Sequence, residues 1–499
     1  EQAQAQGALR RGSVVHLLGG SGTGKTSLGA QLAAGWAHGV FWYTFRRGLT
    51  DHLDQLLYAL AYFLHQQGAS GLWLHFHSHP EEVGGSKVLA ALRQHLADLR
   101  ATPPLLCFDE VDLLLASDLD DSEEHARLRG FLEDLAHSPR ARTPMLLIGQ
   151  KLLLEPDPDC LIALPPLDGA GAAALLAESQ IKLGPRQQEA VLAFTRGNPL
   201  LLKLFIALAQ RTEDHAEKLA ATLSQLTTAP ALDWFMARLR LHLAPAEQAL
   251  LYELSVYAGP APRSAWHSGE KTLRALAGLG LVETPAPDTV SLHPAIRSWL
   301  YQQLPLDRRT ELHLTAATEL AERSRFTAAA HHYLEAGQPE LALWTWYNHR
   351  QEEIDQGQGR AALEMFAPLL QASLAAPEDL RVLALVVAQL SSPAGRTEQG
   401  LAALDAAAWI PSAPSAARAH QLRAELLTDR GDIDQALAEY RRSLETVGSL
   451  RATEEIKLRA HIGRRALWYL HDLPQARQEV KQARLDLELI RQEEHRAPA

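Results

Sequence analysis

The 499-residue chain holds only two cysteines, Cys107 and Cys160. Two thiols cannot build the disulfide framework of a small secreted fold, and they suit a reducing, cytoplasmic compartment. No apolar run is long enough to cross a bilayer, and no N-terminal stretch has the pattern of a signal peptide. An excess of positive charge is also missing. Forty-eight basic against 59 acidic side chains give a net charge of −11, which argues against a broad nucleic-acid-binding face and leaves room only for a local one. The initiator methionine is absent as well: the chain opens on Glu1 and its first apolar strand comes almost at once. It therefore reads as a piece of a longer protein whose output activity would lie upstream.

What is present is enough apolar material, 46% of the residues, for several cores. At roughly 100–200 residues per domain, three or four domains are expected. The first third alternates strand-like apolar runs (13–19, 39–45, 72–77, 104–110 and 144–150) with helical stretches. Strands apolar on both faces, each followed by a helix, indicate a parallel sheet covered on both sides. Residues 1–165 are thus expected to form an α/β domain and 166–230 a helical one. Residues 231–305 carry three helical runs, a short hairpin turning at Pro285–Asp288 and a last helix, the order of a winged helix. Its third helical run, GEKTLRALAGLG, the candidate recognition helix, has one Lys and one Arg, too little for many phosphate contacts with DNA. From 306 to 499 the chain is helical and rich in Ala and Leu. Similar segments recur around Ala362, Ala403, Ala436 and Ala476, at intervals near the roughly 34-residue period of tetratricopeptide helix pairs. The clearest unit is 422–445. The aromatic run 341–349 fits the core of such a solenoid, or a ligand-facing patch on it.

The most specific pattern is GGSGTGKTS, Gly19 to Ser27, directly after the apolar strand VVHLL. Gly19, Gly24, Lys25 and Thr26 stand at the spacing of a P-loop. Gly19, Gly20, Gly22 and Gly24 allow the tight fold through which successive N–H groups, with those of Ser21 and Thr23, turn toward phosphate oxygens. The helix begun at Thr26 and Ser27 adds its positive end. Lys25 is expected on the β- and γ-phosphates, and the Thr26 hydroxyl on Mg²⁺. A second element, LLCFDE, ends a later strand on Asp109 and Glu110. Asp109 is expected to hold Mg²⁺ and Glu110 to orient or deprotonate the attacking water. Lys151, after Gln150 at the end of the 144–150 strand, is a candidate to follow the γ-phosphate, or simply a solvated lysine. Arg46 and Arg47, after the second strand, could also face the site, although solvated side chains are the plainer reading. His75, His77 and His79 would share one strand face, with Glu81 and Glu82 beyond, but a polar strand end accounts for them better than a metal site does.

Taken in order, GGSGTGKT, LLCFDE, MLLIGQK, LPPLD, RGNPLLL and LHPAIRSWL resemble the STAND class of signalling P-loop ATPases, of the NB-ARC-like group. The resemblance covers essentially the whole chain. It implies a P-loop domain, a helical lid, a winged helix and a superhelical repeat sensor, with ATP or ADP and Mg²⁺ as cofactors. It places Pro199, in Gly197-Asn198-Pro199, near the nucleotide base. It places His293 on the β-phosphate of ADP, although a histidine before Pro294 also suits a helix cap or a core position. It further implies a switch: ADP holds the closed state, a protein or small-molecule trigger binds the repeats, and exchange for ATP leads to a homo-oligomer. The chain departs from the family in having no adenine-contacting motif ahead of Gly19, and in carrying Gln150-Lys151 where an arginine is usual. No guanine-reading Asn-Lys-x-Asp pattern stands in the P-loop domain. Three rival readings follow from the same residues: a transcriptional regulator whose winged helix binds DNA, a working ATPase of the AAA+ type, and a scaffold with a structural nucleotide.

Overall fold

The computed structural model describes residues 2–78, 86–99, 102–115, 123–137, 143–212, 216–226, 230–264, 269–371, 374, 376–411, 413–447, 452–469 and 472–494. The chain divides into two compact units, Glu1–Ser324 and Arg325–Ala499.

The first unit opens with a helix, Gln2–Arg10, which buries Ala5, Ala8 and Leu9 against the sheet that follows. That sheet has five parallel strands: β1 (Val14–Leu18), β2 (Val40–Thr44), β3 (Leu105–Asp109), β4 (Met145–Gly149) and β5 (Leu161–Ala163). Their order is β2-β3-β4-β1-β5. Every residue of β3 and β4 is buried, as expected of central strands with helices on both faces. Four of the five expected strands are these. The fifth expectation fails. Residues 72–77 lie in a helix, Gly71–Ser78, and the remaining strand is Leu161–Ala163. Leu72 and Phe76, four apart, both go into the core, which a helix permits and a strand also would. Packing decides between them. Trp73 lies against Tyr58 and Tyr62 of the preceding helix, Leu53–Gln66, with His65 stacked on it. The proposed strand face of histidines therefore does not exist, and His79, Glu81 and Glu82 lie outside the described residues. Among the described residues no group of three or more His, Cys, Asp or Glu could hold a metal ion.

Four helices follow the sheet: Gly169–Glu178, Pro185–Thr195, Pro199–Arg211 and Ala216–Leu223. Then come Ala231–Leu241, Pro245–Ser255 and Glu270–Gly278, and a small antiparallel sheet. That sheet pairs β7 (Val282–Ala286) with β8 (Thr289–Leu292), and a two-residue strand, β6 (Ala261–Pro262), joins β8 on its other edge. A helix over Pro294–Gln303 completes the winged-helix pattern. The next helix, Leu306–Ala321, belongs to this unit. The Tyr301 hydroxyl meets Nε2 of His313 at 3.0 Å, and Arg323 Nε donates to the Ser264 hydroxyl at 3.1 Å.

The second unit is helical throughout its described residues. Neighbouring helices pack as hairpins: Phe326–Glu335 with Pro339–Asn348, Pro377–Ser391 with Thr397–Ala406, Pro414–Arg430 with Ile433–Val447, and Ala452–Tyr469 with Leu473–Glu494. The segment 422–445 forms one such hairpin. Gly431, in the left-handed region at φ 91°, ends its first helix and donates back to the Leu427 and Thr428 carbonyls. Trp346 and Phe366 meet edge to face in the first of two apolar clusters, so much of the aromatic run 341–349 serves the core. Among the described residues, no helix is long and apolar enough to cross a membrane.

Candidate functional site

The glycine-rich loop joins β1 to the helix Lys25–Ala34. Two glycines in it adopt conformations that other residues resist: Gly22 at φ 75° and Gly24 at φ 93°. A Cβ on Gly22 would lie 2.7 Å from Leu200 Cβ and 2.9 Å from Asn198 Oδ1. A Cβ on Gly24 would meet nothing within 4 Å, so this flank of the loop is open. Lys25 is buried, and its Nζ is held over the loop by a hydrogen bond to the Gly20 carbonyl at 2.9 Å. The Thr23 hydroxyl donates to the same carbonyl at 2.9 Å.

β3 brings its acidic end to this loop. The Thr26 hydroxyl donates to Asp109 Oδ2 at 3.0 Å, and the Glu110 N–H donates to Asp109 Oδ1 at 2.9 Å. Asp109 is buried. Burial pushes its carboxyl above the ordinary range, while Thr26, the Glu110 N–H, Lys25 and Arg46 pull it back. Glu110 is raised as well, by burial first and then by the charges of Asp109 and Asp112. Its backbone sits in the left-handed region at φ 57°, a conformation that costs a non-glycine residue on the order of 1–3 kcal/mol. A hydroxyl and a buried carboxylate in contact, with the carboxylate destabilised by burial, make a donor set that fits a hard divalent cation such as Mg²⁺. The loop's left-handed glycines, its open flank and the buried lysine likewise fit a polyphosphate.

The helical segment contributes a side chain that sequence reasoning underused. Asn198 caps the helix Pro199–Arg211, accepting from the N–H groups of Leu200 and Leu201 at 3.0 and 3.3 Å. Its amide nitrogen reaches back to the Ser21 carbonyl at 2.8 Å, and the Leu200 N–H points at the Gly22 carbonyl at 3.3 Å. Gly197, at φ 68°, is fixed by crowding: a Cβ there would fall 2.1 Å from the Leu167 carbonyl oxygen. Gly-Asn-Pro is thus docked on the phosphate loop. The signal was an asparagine directly before a proline at a helix start. Pro199 takes the first helical position.

The winged helix closes the other side. His293 caps the helix Pro294–Gln303, its Nδ1 accepting from the Ala295 N–H at 3.2 Å. Burial, with Lys25 and Lys203 nearby, lowers its pKa to about 4. The ring is therefore neutral near pH 7, and with Nδ1 accepting, its proton sits on Nε2. Cap and phosphate donor are compatible roles for one imidazole, since they use different nitrogens. Lys203 lies over Gly280, its Cδ 3.9 Å from where a Cβ would be.

One expectation needs revision. Arg46 is not a solvated side chain like Arg47. It is half-buried, it packs along Gly259 of the winged helix, and it feels the charges of Asp109 and Glu110. Strand register explains this: Thr44 pairs with Asp109 and the Phe45 N–H bonds the Asp109 carbonyl at 3.0 Å, so Arg46 leaves the sheet beside Glu110. Gln150 and Lys151, by contrast, are exposed, and no described contact brings Lys151 to Lys25, Asp109 or Glu110. The nearby polar link is Asp112, which accepts from the Gln150 N–H at 2.8 Å and leaves Gly149 no room for a Cβ.

No protein-family model matches the chain, and no curated protein matches it in sequence. Solved structures do resemble it. One is a signal transduction ATPase with numerous domains (STAND) bearing a tetratricopeptide repeat sensor, from Pyrococcus horikoshii. It is 14% identical, with a TM-score of 0.62 over 98% of this chain and 77% of that one. Two others score lower: a Walker-type ATPase of Pyrococcus abyssi (16% identity, TM-score 0.34, 60% of this chain and 94% of that one) and the ORC2 protein of Aeropyrum pernix (15%, 0.30, 65% and 93%). The first likeness is one of fold. The chain has the fold of a STAND ATPase, a P-loop sheet with helical repeats behind it in sequence.

Proposed function

We propose that the chain is a nucleotide-operated signalling switch that binds ATP or ADP with Mg²⁺ and hydrolyses ATP slowly. One observation carries the reading: Asn198 of the helical segment bonds the phosphate loop at Ser21, and Gly259 of the winged-helix segment packs on Arg46, which leaves β2 beside Asp109 and Glu110. A nucleotide there would be touched by three structural layers at once, which a simple nucleotide store does not need. Bound nucleotide supplies the phosphoryl chemistry. The protein's part is to hold and to time it. The loop N–H groups and Lys25 bind the phosphates, and Thr26 and Asp109 bind the cation. Glu110, a carboxyl with raised proton affinity, orients and deprotonates water. His293 donates from Nε2 to a phosphate oxygen and so ties the winged helix to ADP. Asn198 and Pro199 tie in the helical lid.

In this reading the ADP-bound form is the resting one. A protein or small molecule received by the repeats 325–499 favours exchange for ATP, the exchanged form assembles into a homo-oligomer, and hydrolysis resets it. Such a device needs a differential affinity of a few kcal/mol between states and little turnover. A cytoplasmic role in bacterial defence or regulation suits it. The test is to denature purified protein and identify what it releases by chromatography. Stoichiometric ADP is the expected result. An empty site with brisk ATP turnover would sink the switch and favour a working ATPase.

A further inference from the structure

Glu110 leaves β3 in the left-handed region, at φ 57°, and caps a short 3₁₀ helix, Val111–Leu114. Among the described residues no hydrogen bond or ion pair holds its carboxyl, so the aim of that group depends on the backbone beneath it. A glutamate in this conformation relaxes unless its surroundings over-determine it. Two sets of contacts do so here. Val111 and Leu114 are buried in the core, and the Leu113 N–H donates to the Glu110 carbonyl at 3.1 Å. These hold the turn down. Asp112 holds it sideways. Its Oδ1 accepts from the Gln150 N–H at 2.8 Å, one residue beyond the end of β4.

The place of that bond gives it meaning. β4 lies between β3 and β1 in the sheet. Ile148 pairs with Asp109 on one side, and Gly149 pairs with Leu18, the residue before Gly19, on the other. Gln150 follows directly. The bond from the Gln150 N–H to Asp112 therefore fastens the turn that carries Glu110 to the strand in register with the foot of the nucleotide loop. Gly149 is fitted to this bond. A Cβ there would lie 2.7 Å from Asp112 Oδ1 and 3.0 Å from Val111 Cγ2, so a side chain would push the carboxylate aside. Gly149 is not among the left-handed glycines, so space and not backbone excludes alanine. The side chains of Gln150 and Lys151 are exposed. What this strand end gives the turn is a main-chain donor.

We propose that Asp112 is the positioning residue for Glu110: by accepting the Gln150 N–H it locks the turn after β3 to the end of β4, and so sets the distance between the water-activating carboxyl and the phosphates on the Gly19–Ser27 loop. The proposal rests on the reading of Glu110 as the group that activates water, and Asp112 acts only through it. A carboxylate accepting from a main-chain N–H makes a charge-assisted bond, stronger than a neutral one. Asparagine would keep an acceptor in the same place, and alanine would lose it. Little loosening is needed, since a misplacement of about 1 Å costs on the order of a hundredfold in a chemical step.

The experiment measures two quantities on the full chain. One is single-turnover hydrolysis of prebound ATP with Mg²⁺. The other is equilibrium affinity for two fluorescent nucleotides, an ADP analogue and a non-hydrolysable ATP analogue. It uses wild type, Asp112→Ala, Asp112→Asn, Gly149→Ala, Glu110→Gln, and Asp112→Ala combined with Glu110→Gln. Asp112→Ala should slow hydrolysis by about tenfold to a hundredfold, with both affinities within about twofold of wild type. Gly149→Ala leaves both acids in place and should do the same by displacing the carboxylate. Asp112→Asn should recover most of the rate, which a misfolded chain would not. In the Glu110→Gln background Asp112→Ala should slow hydrolysis no further, because its effect passes through a base already removed. Wild-type hydrolysis in Asp112→Ala, or a full further loss in the Glu110→Gln background, would overturn the positioning role while leaving Glu110 its task. Asparagine no better than alanine, with affinity falling alongside the rate, would overturn it too, as the mark of a merely structural aspartate. Wild-type hydrolysis in Glu110→Gln, or none in wild type, would instead overturn the reading of Glu110 on which the proposal stands.

Discussion

Each unit of the molecule buries a carboxylate, and the two are provided for differently. In the repeat unit Glu353 is 2% exposed. It accepts from the N–H groups of Phe326 and Thr327 at 3.2 and 3.1 Å, and from the Thr327 hydroxyl. Trp346 in turn donates to that hydroxyl at 2.9 Å. In the first unit Asp109 is 4% exposed and accepts two hydrogen bonds, one from the Thr26 hydroxyl and one from the Glu110 N–H. Around it Glu110 and Arg46 carry charge with no side-chain partner among the described residues. Burial raises the proton affinity of both Glu353 and Asp109. The difference lies in the neighbours. Glu353 closes a network that caps the helix Phe326–Glu335, so its chemistry is spent within the fold. The cluster at Asp109 is incomplete, and incompleteness of that kind marks a place built for something that binds.

The comparison breaks most visibly at its two centres. Lys25→Ala should cost at least about a hundredfold in nucleotide affinity, because the loop loses its one buried cation. Thermal stability without nucleotide should change little, which a melting curve with and without ADP reports. A large loss of stability without nucleotide would instead favour the scaffold reading. Glu353→Ala should show the reverse pattern. Stranding two N–H groups and a hydroxyl should cost the repeat unit about 3 kcal/mol, read by denaturant unfolding, with ADP affinity unchanged. Its pH dependence has a definite sign. The native carboxyl binds its proton more tightly than the unfolded one, so this group's contribution falls as pH rises from the ordinary value of 4.5 through the raised one. Glu353→Gln should flatten that slope while keeping an acceptor for the N–H groups.

Glu110→Gln sharpens the contrast within the first unit. Amide for carboxylate preserves shape and removes the base, so turnover should fall by about 10²–10⁴. Nucleotide binding should remain, measured by the same fluorescent analogues. Wild-type turnover in this variant would take the catalytic role away from Glu110.

How much of this was legible in the sequence depends on whether a feature is local. The loop Gly19–Ser27 could be read because phosphate binding needs glycines and a lysine at fixed spacing, within one strand-loop-helix unit. The acids of β3 followed from a short apolar run with a polar end. The helix at Gly71–Ser78 was missed because its apolar positions suit a strand equally well, and only the stack of Trp73 on the preceding helix selects between them. Arg46 was misread for a related reason. After a strand, an arginine is usually in water, and what holds this one is Gly259, over two hundred residues on. Asn198 lay between. Its capping role was local and readable, whereas its second bond, to Ser21, depends on the fold.

His293 gives the smallest effect and the finest test of the contrast between closed and open polar networks. Its Nδ1 is spent on the helix cap, as Glu353 is spent on its network, while its Nε2–H is left over, as at Asp109. His293→Ala removes both functions, so loss of ADP retention alone would not separate them. His293→Asn does, because an asparagine keeps the cap but does not reach as far as Nε2. Both variants should release ADP about tenfold faster in stopped-flow displacement, with only the alanine losing about 1 kcal/mol of stability. The wild-type release rate should also be flat through pH 6.5, where an ordinary histidine titrates, since this ring stays neutral down to about 4. If asparagine restores wild-type release, the histidine is a cap alone.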